Sequence, residues 1–171
     1  AETSNRAALI TWDESGPKQL YFSPVPEGGG PGTLTVPNTA RSVSFTNRTG
    51  SINIGATNLT GNLGIFVDGS GNNITINGDI SAANANLRVW GNGNITSSSA
   101  ITADNLSLLT SGGNVSLTGA NQVNKLAASM PASGSLDFSN AKALAIDTFV
   151  DTNGINFRNN ANPINITTTV G

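Results

Sequence analysis

Aliphatic residues return at a nearly constant interval from about residue 50 to the end of the chain. Six short segments share a small turn residue, then an aliphatic residue, a polar residue and usually a second apolar residue. The first aliphatic residues of these segments are Ile52, Ile74, Ile95, Val115, Leu136 and Ile155. Their spacings are 22, 21, 20, 21 and 19 residues. A sustained period of about 20 residues is typical of repeat architectures, in which each repeat packs on its neighbours.

A second column of apolar residues recurs with the same period, and a third column is less regular. One consists of Leu59, Ile80, Ile101, Val123, Leu144 and Ile164, and the other of Phe45, Ile65, Leu87, Leu106, Leu126 and Phe149. Apolar–polar alternation indicates β-strands, because successive side chains point to opposite faces. Three short strands per period predict a triangular coil that buries its inward side chains by stacking on the next coil. The sequence therefore predicts an all-β parallel β-helix (β-solenoid) of about six coils, with about 20 residues and three short strands per coil.

The first aliphatic column is the predicted core stack. An antiparallel sandwich also contains many short strands, but it does not explain a period held in two columns over six repeats. Glycine and asparagine are expected at the corners, where the chain turns sharply. Asn73, Asn94 and Asn114 precede the core aliphatic residue in three successive repeats, which predicts a hydrogen-bonded asparagine ladder.

Residues 1–37 differ from the repeats, which we assign to residues 38–171. The first segment contains Trp12, the single tyrosine Tyr21, and Phe22, followed by a proline- and glycine-rich stretch. We expect these residues to form an N-terminal cap or lead-in, in which Trp12, Tyr21 and Phe22 cover the open end of the solenoid.

Composition excludes several classes of function. The eight basic residues are scattered and the net charge is −2, so the basic stripe of a nucleic-acid binder is absent. There is neither histidine nor cysteine, which removes the commonest general base, the commonest metal ligand and thiol chemistry. No apolar run is long enough to span a membrane as a helix. We therefore assign no catalytic, cofactor-binding or metal-binding residue and expect no cofactor.

The acidic residues do not contradict this assignment. Polysaccharide-cleaving enzymes need two or three carboxylates that converge on one face. Asp68, Asp79, Asp104 and Asp137 occupy different positions relative to the apolar columns, so the repeat does not stack them. The sequence DGSGNN at 68–73 is the nearest approach to a calcium-binding β-roll repeat, and it occurs once.

Trp90 and Arg88 are the candidate contact residues for a partner. They lie in the sequence ANLRVWGNGN, where Leu87 and Val89 take the inward positions. Alternation then directs both Arg88 and Trp90 outward. An exposed tryptophan beside an arginine, on a surface of serine, asparagine and glycine, is typical of a binding patch.

The repeats resemble a known family of secreted proteins. Strings such as NNITINGDISAANANLRV, NGNITSSSAITADNLSLLTSGGNVSLTGANQVNKL and ASGSLDFSNAKALAIDT are similar to the passenger repeats of filamentous-haemagglutinin-like exoproteins. These are the secreted partners of bacterial two-partner secretion systems, and some autotransporter passengers look similar. The resemblance covers about residues 40–171. It implies a right-handed parallel β-helix, export by an outer-membrane transporter, and adhesion.

The expected function is accordingly structural and adhesive. We expect a non-enzymatic segment of a secreted or cell-surface bacterial exoprotein that attaches to host cells, glycans or neighbouring copies of itself. Two alternatives remain open at this point. One is a polysaccharide-degrading or phage receptor-binding protein on the same scaffold. The other is a self-assembling fibre subunit that joins through strand pairing at the coil ends.

Overall fold

The computed structural model describes residues 7–12, 21–23, 32–36, 42–48, 50–130, 133–149, 152–153, 155–157 and 164–169. These residues form nineteen β-strands and, within the described ranges, no helix. The strand bounds are Ala7–Trp12 (β1), Tyr21–Ser23 (β2), Gly32–Thr35 (β3), Val43–Asn47 (β4), Ile52–Ile54 (β5), Thr57–Asn58 (β6), Asn62–Asp68 (β7), Ile74–Ile76 (β8), Ile80–Ser81 (β9), Asn84–Trp90 (β10), Ile95–Ser97 (β11), Ile101–Thr110 (β12), Val115–Met130 (β13), Leu136–Asn140 (β14), Ala145–Ile146 (β15), Thr148–Phe149 (β16), Thr152–Asn153 (β17), Ile155–Phe157 (β18) and Ile164–Thr168 (β19).

The strands stack in parallel as about five coils, so the fold is a β-solenoid, as the sequence predicts. A typical coil contains three strands, as in β5–β6–β7 and β8–β9–β10. Strands β12 and β13 are longer and continue from one face of the solenoid to the next. We call the three stacks of strands the first, second and third faces, in the order in which the chain passes through each coil.

The first face contains the predicted core stack. Strands β5, β8, β11, β13 and β14 pair in parallel register, so that one inward residue of each lies directly over the next. These buried residues are Ile52, Ile74, Ile95, Val115 and Leu136. Aliphatic and β-branched side chains fit such a position, because a stacked parallel sheet needs bulk on its buried side.

Ile155 does not continue this stack, and that part of the prediction is wrong. Leu136 instead pairs with Ile164 in β19, whereas Ile155 pairs with Ala128 on the third face. The reason is a β-hairpin formed by β16 and β17, in which Phe149 lies opposite Thr152. The hairpin lengthens the last coil, so residue 164 rather than residue 155 reaches the first face.

The third face holds the longer strands and much of the core. Strands β4, β7 and β10 and the second halves of β12 and β13 pair in parallel along it. One inward column consists of four fully buried residues: Phe45, Ile65, Leu87 and Leu108. The sequence predicts Leu106 in that column. Leu106 is instead buried at the inward position before Leu108, where it stacks on Leu126.

The solenoid begins earlier than residue 38. Strand β3 pairs in parallel with β5, and Leu34 is completely buried over Ile54. Strands β1 and β2 then add antiparallel to β4 and β3 at this end. The backbones of Trp12, Tyr21 and Phe22 belong to these edge strands, which is where a cap is expected. The positions of their side chains are outside what the structure describes.

Asparagine side chains link the coils at one corner, as predicted. The Asn73 side-chain oxygen accepts a hydrogen bond from the Asn94 backbone N–H at 2.7 Å. The Asn94 side-chain oxygen accepts the next from Asn114 at 2.8 Å, and that of Asn114 accepts from Ser135 at 3.0 Å. The ladder therefore runs from side chain to backbone. A ladder between amide side chains joins three other residues: Asn62, Asn84 and Asn105.

Candidate functional site

The outer side of the third face carries a row of residues from three consecutive coils. Trp90 pairs in register with Asp68. The pairing of β4 with β7 ends at Asn47 and Val67, and the next residues, Arg48 and Asp68, line one cleft. Phe66 belongs to the neighbouring outward row. Since coils are about 4.8 Å apart, these side chains lie close enough to form one surface.

Trp90 is the half-exposed aromatic residue of this surface. Its side chain is 51% exposed, although large hydrophobic side chains are normally buried. Among the side chains that the structure describes, the other exposed large hydrophobic residues are Ile146 and Ile164, which lie in the last two stacked layers of the solenoid. Trp90 thus lies on the flank of the rod, away from the last coil, and its orientation agrees with the strand alternation.

Arg88 occupies an outward position as the alternation predicts, but it is not an exposed contact residue. Its side chain is only 7% exposed, and the guanidinium lies 5.7 Å from the centre of the Phe66 ring. Its Nε donates a 3.1 Å hydrogen bond to the Asn86 side-chain oxygen. Burial lowers the pKa of the Arg88 guanidinium by desolvation. Arg88 is therefore part of the packing of this face.

The β16–β17 hairpin packs on the strands that follow β10 in the stack. It lies against β12 and β13, which belong to two successive coils, so it lies along a face of the rod. Ser107 and Ala127 occupy outward positions of β12 and β13 and yet are fully buried. The outer side of the third face is therefore a buried layer at Ser107 and Ala127 and is exposed at Trp90.

An open cleft of about 240 Å³ lies at the uncovered end of this layer. Its lining residues, which define what we call the Trp90 cleft, are Thr46, Arg48, Phe66, Val67, Asp68 and Trp90. The sequence-based interpretation missed Arg48 and Asp68. The signal was present, because residues 48, 68 and 90 follow the coil period, at intervals of 20 and 22.

The turn after β7 holds Asp68 in place. The backbone N–H of Gly69 donates a 2.8 Å hydrogen bond to Asp68 Oδ1, and the Asn72 side chain donates one of 2.7 Å to the Asp68 carbonyl oxygen. Gly69 has a φ of 103°, a conformation that favours glycine. The cleft thus combines a fixed hydrogen-bond acceptor, a cationic donor at Arg48 and an aromatic surface, which suits a small polar ligand with one apolar side.

Two other aspartates that the structure describes lie away from this site. Asp137 lies on the first face between Ser116 and Asn165, and Asp104 accepts a 2.9 Å hydrogen bond from the Asn124 side chain. Among the residues that the structure describes, no group of three or more acidic, histidine or cysteine side chains is suited to hold a metal ion.

The fold defines the class of the protein: it is a β-solenoid repeat protein. No family model, no curated protein and no solved structure matches the chain. Within the part of the chain that the structure describes, no helix is long and apolar enough to cross a membrane.

Proposed function

We propose that the chain is a non-enzymatic structural and adhesive segment of a secreted or cell-surface bacterial exoprotein. In this function the solenoid is a stiff support and the outward residues make the contacts. The observation that carries the proposal is the half-exposed Trp90 on the flank of a rod with few charged residues. Tryptophan and arginine are enriched among the residues that contribute most to protein binding, and Arg48 lines the same cleft as Trp90.

Two features of the solenoid and the resemblance of its repeats to a known family support the proposal. Its inward residues form one continuous core from Leu34 to Phe138. Each coil contacts mainly its neighbours, so folding can spread from coil to coil as a chain emerges from an outer-membrane transporter. The resemblance of the repeats to filamentous-haemagglutinin-like exoproteins suggests this route of export, with host-cell surfaces or glycans as partners.

Attachment of coated beads to cells tests the adhesive part. Fluorescent beads that carry the chain are incubated with epithelial cells, beside beads that carry albumin and beads that carry the Trp90→Ala variant. We expect the wild-type beads to attach several times more often than the albumin beads. Attachment no higher than that of albumin would contradict the adhesive function.

A second candidate function is self-assembly, which two exposed residues favour. Ile146 and Ile164 are 47% and 46% exposed, and they lie in the last two stacked layers that the structure describes, where β15 stacks on β13 and β19 on β14. Exposed apolar residues beside a strand edge promote pairing with another chain. Sedimentation of the wild-type chain and of the Ile164→Lys variant over a range of concentrations tests this: larger species that disappear in the variant would favour assembly, and a concentration-independent monomer would exclude it.

A further inference from the structure

The accessible aromatic surface of the Trp90 cleft belongs to Trp90. Phe66 also lines the cleft, but the Arg88 guanidinium lies over its ring. The indole of Trp90 is half exposed and provides a flat apolar surface with little conformational entropy to lose. A ligand that matches it needs one flat face of C–H groups. The ring of a pyranose sugar has such a face, with hydroxyl groups around its edge.

The charges of the cleft favour a ligand without net charge. Arg48 and Asp68 carry opposite charges in the same row, so an anionic ligand would meet Asp68 and a cationic one would meet Arg48. Within the described part of the chain, Arg48 makes no ion pair, since the salt bridge found there joins Lys125 to Asp147. Asp68 Oδ1 is held by the Gly69 N–H, which leaves Oδ2 to accept a further hydrogen bond.

Two neighbouring hydroxyl groups satisfy this arrangement together. One hydroxyl donates to the Asp68 carboxylate while the adjacent one accepts from the Arg48 guanidinium, and hydrogen bonds to charged groups are the stronger ones. The cleft of about 240 Å³ is smaller than the pockets of about 300–1,000 Å³ that hold drug-sized ligands. It therefore suits a single sugar ring, bound weakly by one site and strongly only when many copies act together.

We propose that the Trp90 cleft binds one neutral pyranose ring that carries two adjacent hydroxyl groups. Trp90 stacks against the ring, Asp68 accepts from one hydroxyl and Arg48 donates to the next. This proposal rests on the adhesive function proposed above and names the chemistry of its contact.

Titration with simple methyl glycosides tests the proposal. A Trp12→Phe variant leaves Trp90 as the single tryptophan, so its fluorescence reports on the cleft alone. The probes are the methyl glycosides of glucose, galactose and mannose. Methyl glucuronide is the matched anion, because it differs from methyl glucoside only at the sixth carbon, and tetramethylammonium is a simple cationic probe. We expect saturable quenching at millimolar concentrations by at least one neutral glycoside, and weaker quenching by both charged probes.

Variants of the three residues assign the binding to the cleft. Saturation-transfer NMR of the best glycoside should lose its signal in Trp90→Ala. Asp68→Asn and Arg48→Gln should each weaken binding about tenfold, as the loss of a hydrogen bond to a charged group predicts. Thr75→Ala, on the outer side of the first face, is the matched control and should bind as the wild type does. Absence of saturable binding by any neutral glycoside, stronger binding of either charged probe, or an unchanged NMR signal in Trp90→Ala would overturn the proposal.

The bead assay separates this proposal from the adhesive function. Beads that attach to cells equally well with and without Trp90 would leave adhesion intact and place it outside the cleft. Glycoside binding that depends on Trp90, combined with no attachment of the beads, would support the sugar site and contradict adhesion.

Discussion

The side-chain oxygen of Asn94 accepts a 2.8 Å hydrogen bond from the backbone N–H of Asn114, the equivalent residue one coil further along the rod. One coil earlier, the side-chain oxygen of Asn73 accepts a hydrogen bond from the backbone N–H of Asn94 in the same way. A corner of a solenoid leaves backbone N–H groups without a strand partner, and such groups need an acceptor when they are shielded from water. The asparagine column thus continues the backbone hydrogen bonding of the sheets through a corner.

Replacement of Asn94 by alanine should destabilise the protein. The substitution removes the acceptor for the Asn114 N–H, and because this hydrogen bond is exposed, water replaces part of it, so we expect a loss of about 0.5–1 kcal/mol in the free energy of unfolding. Asn94→Asp keeps an acceptor oxygen and should lose less. Urea unfolding followed by circular dichroism measures both. Asn58→Ala is the control, because Asn58 is exposed and outside the ladder; equal losses for Asn94→Ala and Asn58→Ala would contradict the interpretation.

Gly113 is expected to tolerate no side chain. A Cβ atom there would overlap the carbonyl oxygen of Gly93 in the neighbouring coil, so the two coils would have to separate. We expect Gly113→Ala to cost more than about 2 kcal/mol, the range of overpacked positions. Gly55→Ala is the matched control, because its Cβ would meet no atom within 4 Å. Thermal melting of the two variants should differ clearly; the same melting temperature for both would refute the predicted overlap.

The fold could be predicted because its main determinant is a period. The side chains of Ile74 and Ile95 are 21 residues apart in sequence and in register in space, and only stacked coils bring such residues together repeatedly. The failure at Ile155 has the same origin. A period describes coils of equal length, and the β16–β17 hairpin changes the length of the last one. Alternation of apolar and polar residues cannot reveal such an insertion, since the hairpin strands have two residues each.

The candidate site was only half predictable. Trp90 stood out as an aromatic residue on an outward position, but alternation treats every outward position as exposed. Arg88 is buried despite its outward position, and its guanidinium lies over the Phe66 ring. Arg48 and Asp68 lie next to Trp90 because the coils stack in parallel register. Predicting these neighbours from the sequence requires the length of each coil to within one residue. That length varies along the chain, so the row emerges only when the strand pairing is known.

Loss of side-chain volume in the first face should be costly in the middle of the rod and less costly in the last coil. Ile95 is fully buried between Ile74 and Val115, whereas Ile164 is 46% exposed. We expect Ile95→Ala to lower the free energy of unfolding by about 2–5 kcal/mol and Ile95→Val by about 0.5–1.5 kcal/mol. Ile164→Ala should cost less than Ile95→Ala. Urea midpoints check the order, and an Ile164→Ala loss as large as that of Ile95→Ala would show that the last coil is packed as tightly as the others.

Arg88 and Trp90 should respond differently to replacement by alanine, although they are two residues apart on the same side of β10. Arg88→Ala removes the hydrogen bond to Asn86 and the packing on Phe66, so we expect a loss of about 1–3 kcal/mol in the free energy of unfolding. Trp90→Ala removes a half-exposed side chain and should cost less than Arg88→Ala while it reduces bead attachment. Arg88→Lys keeps the charge but not the planar group and should recover only part of the stability. Urea unfolding and the bead assay, applied to the same preparations, separate the two effects. Reduced attachment by a fully folded Arg88→Ala variant, with normal attachment by Trp90→Ala, would reverse the assignment and make Arg88 the contact residue.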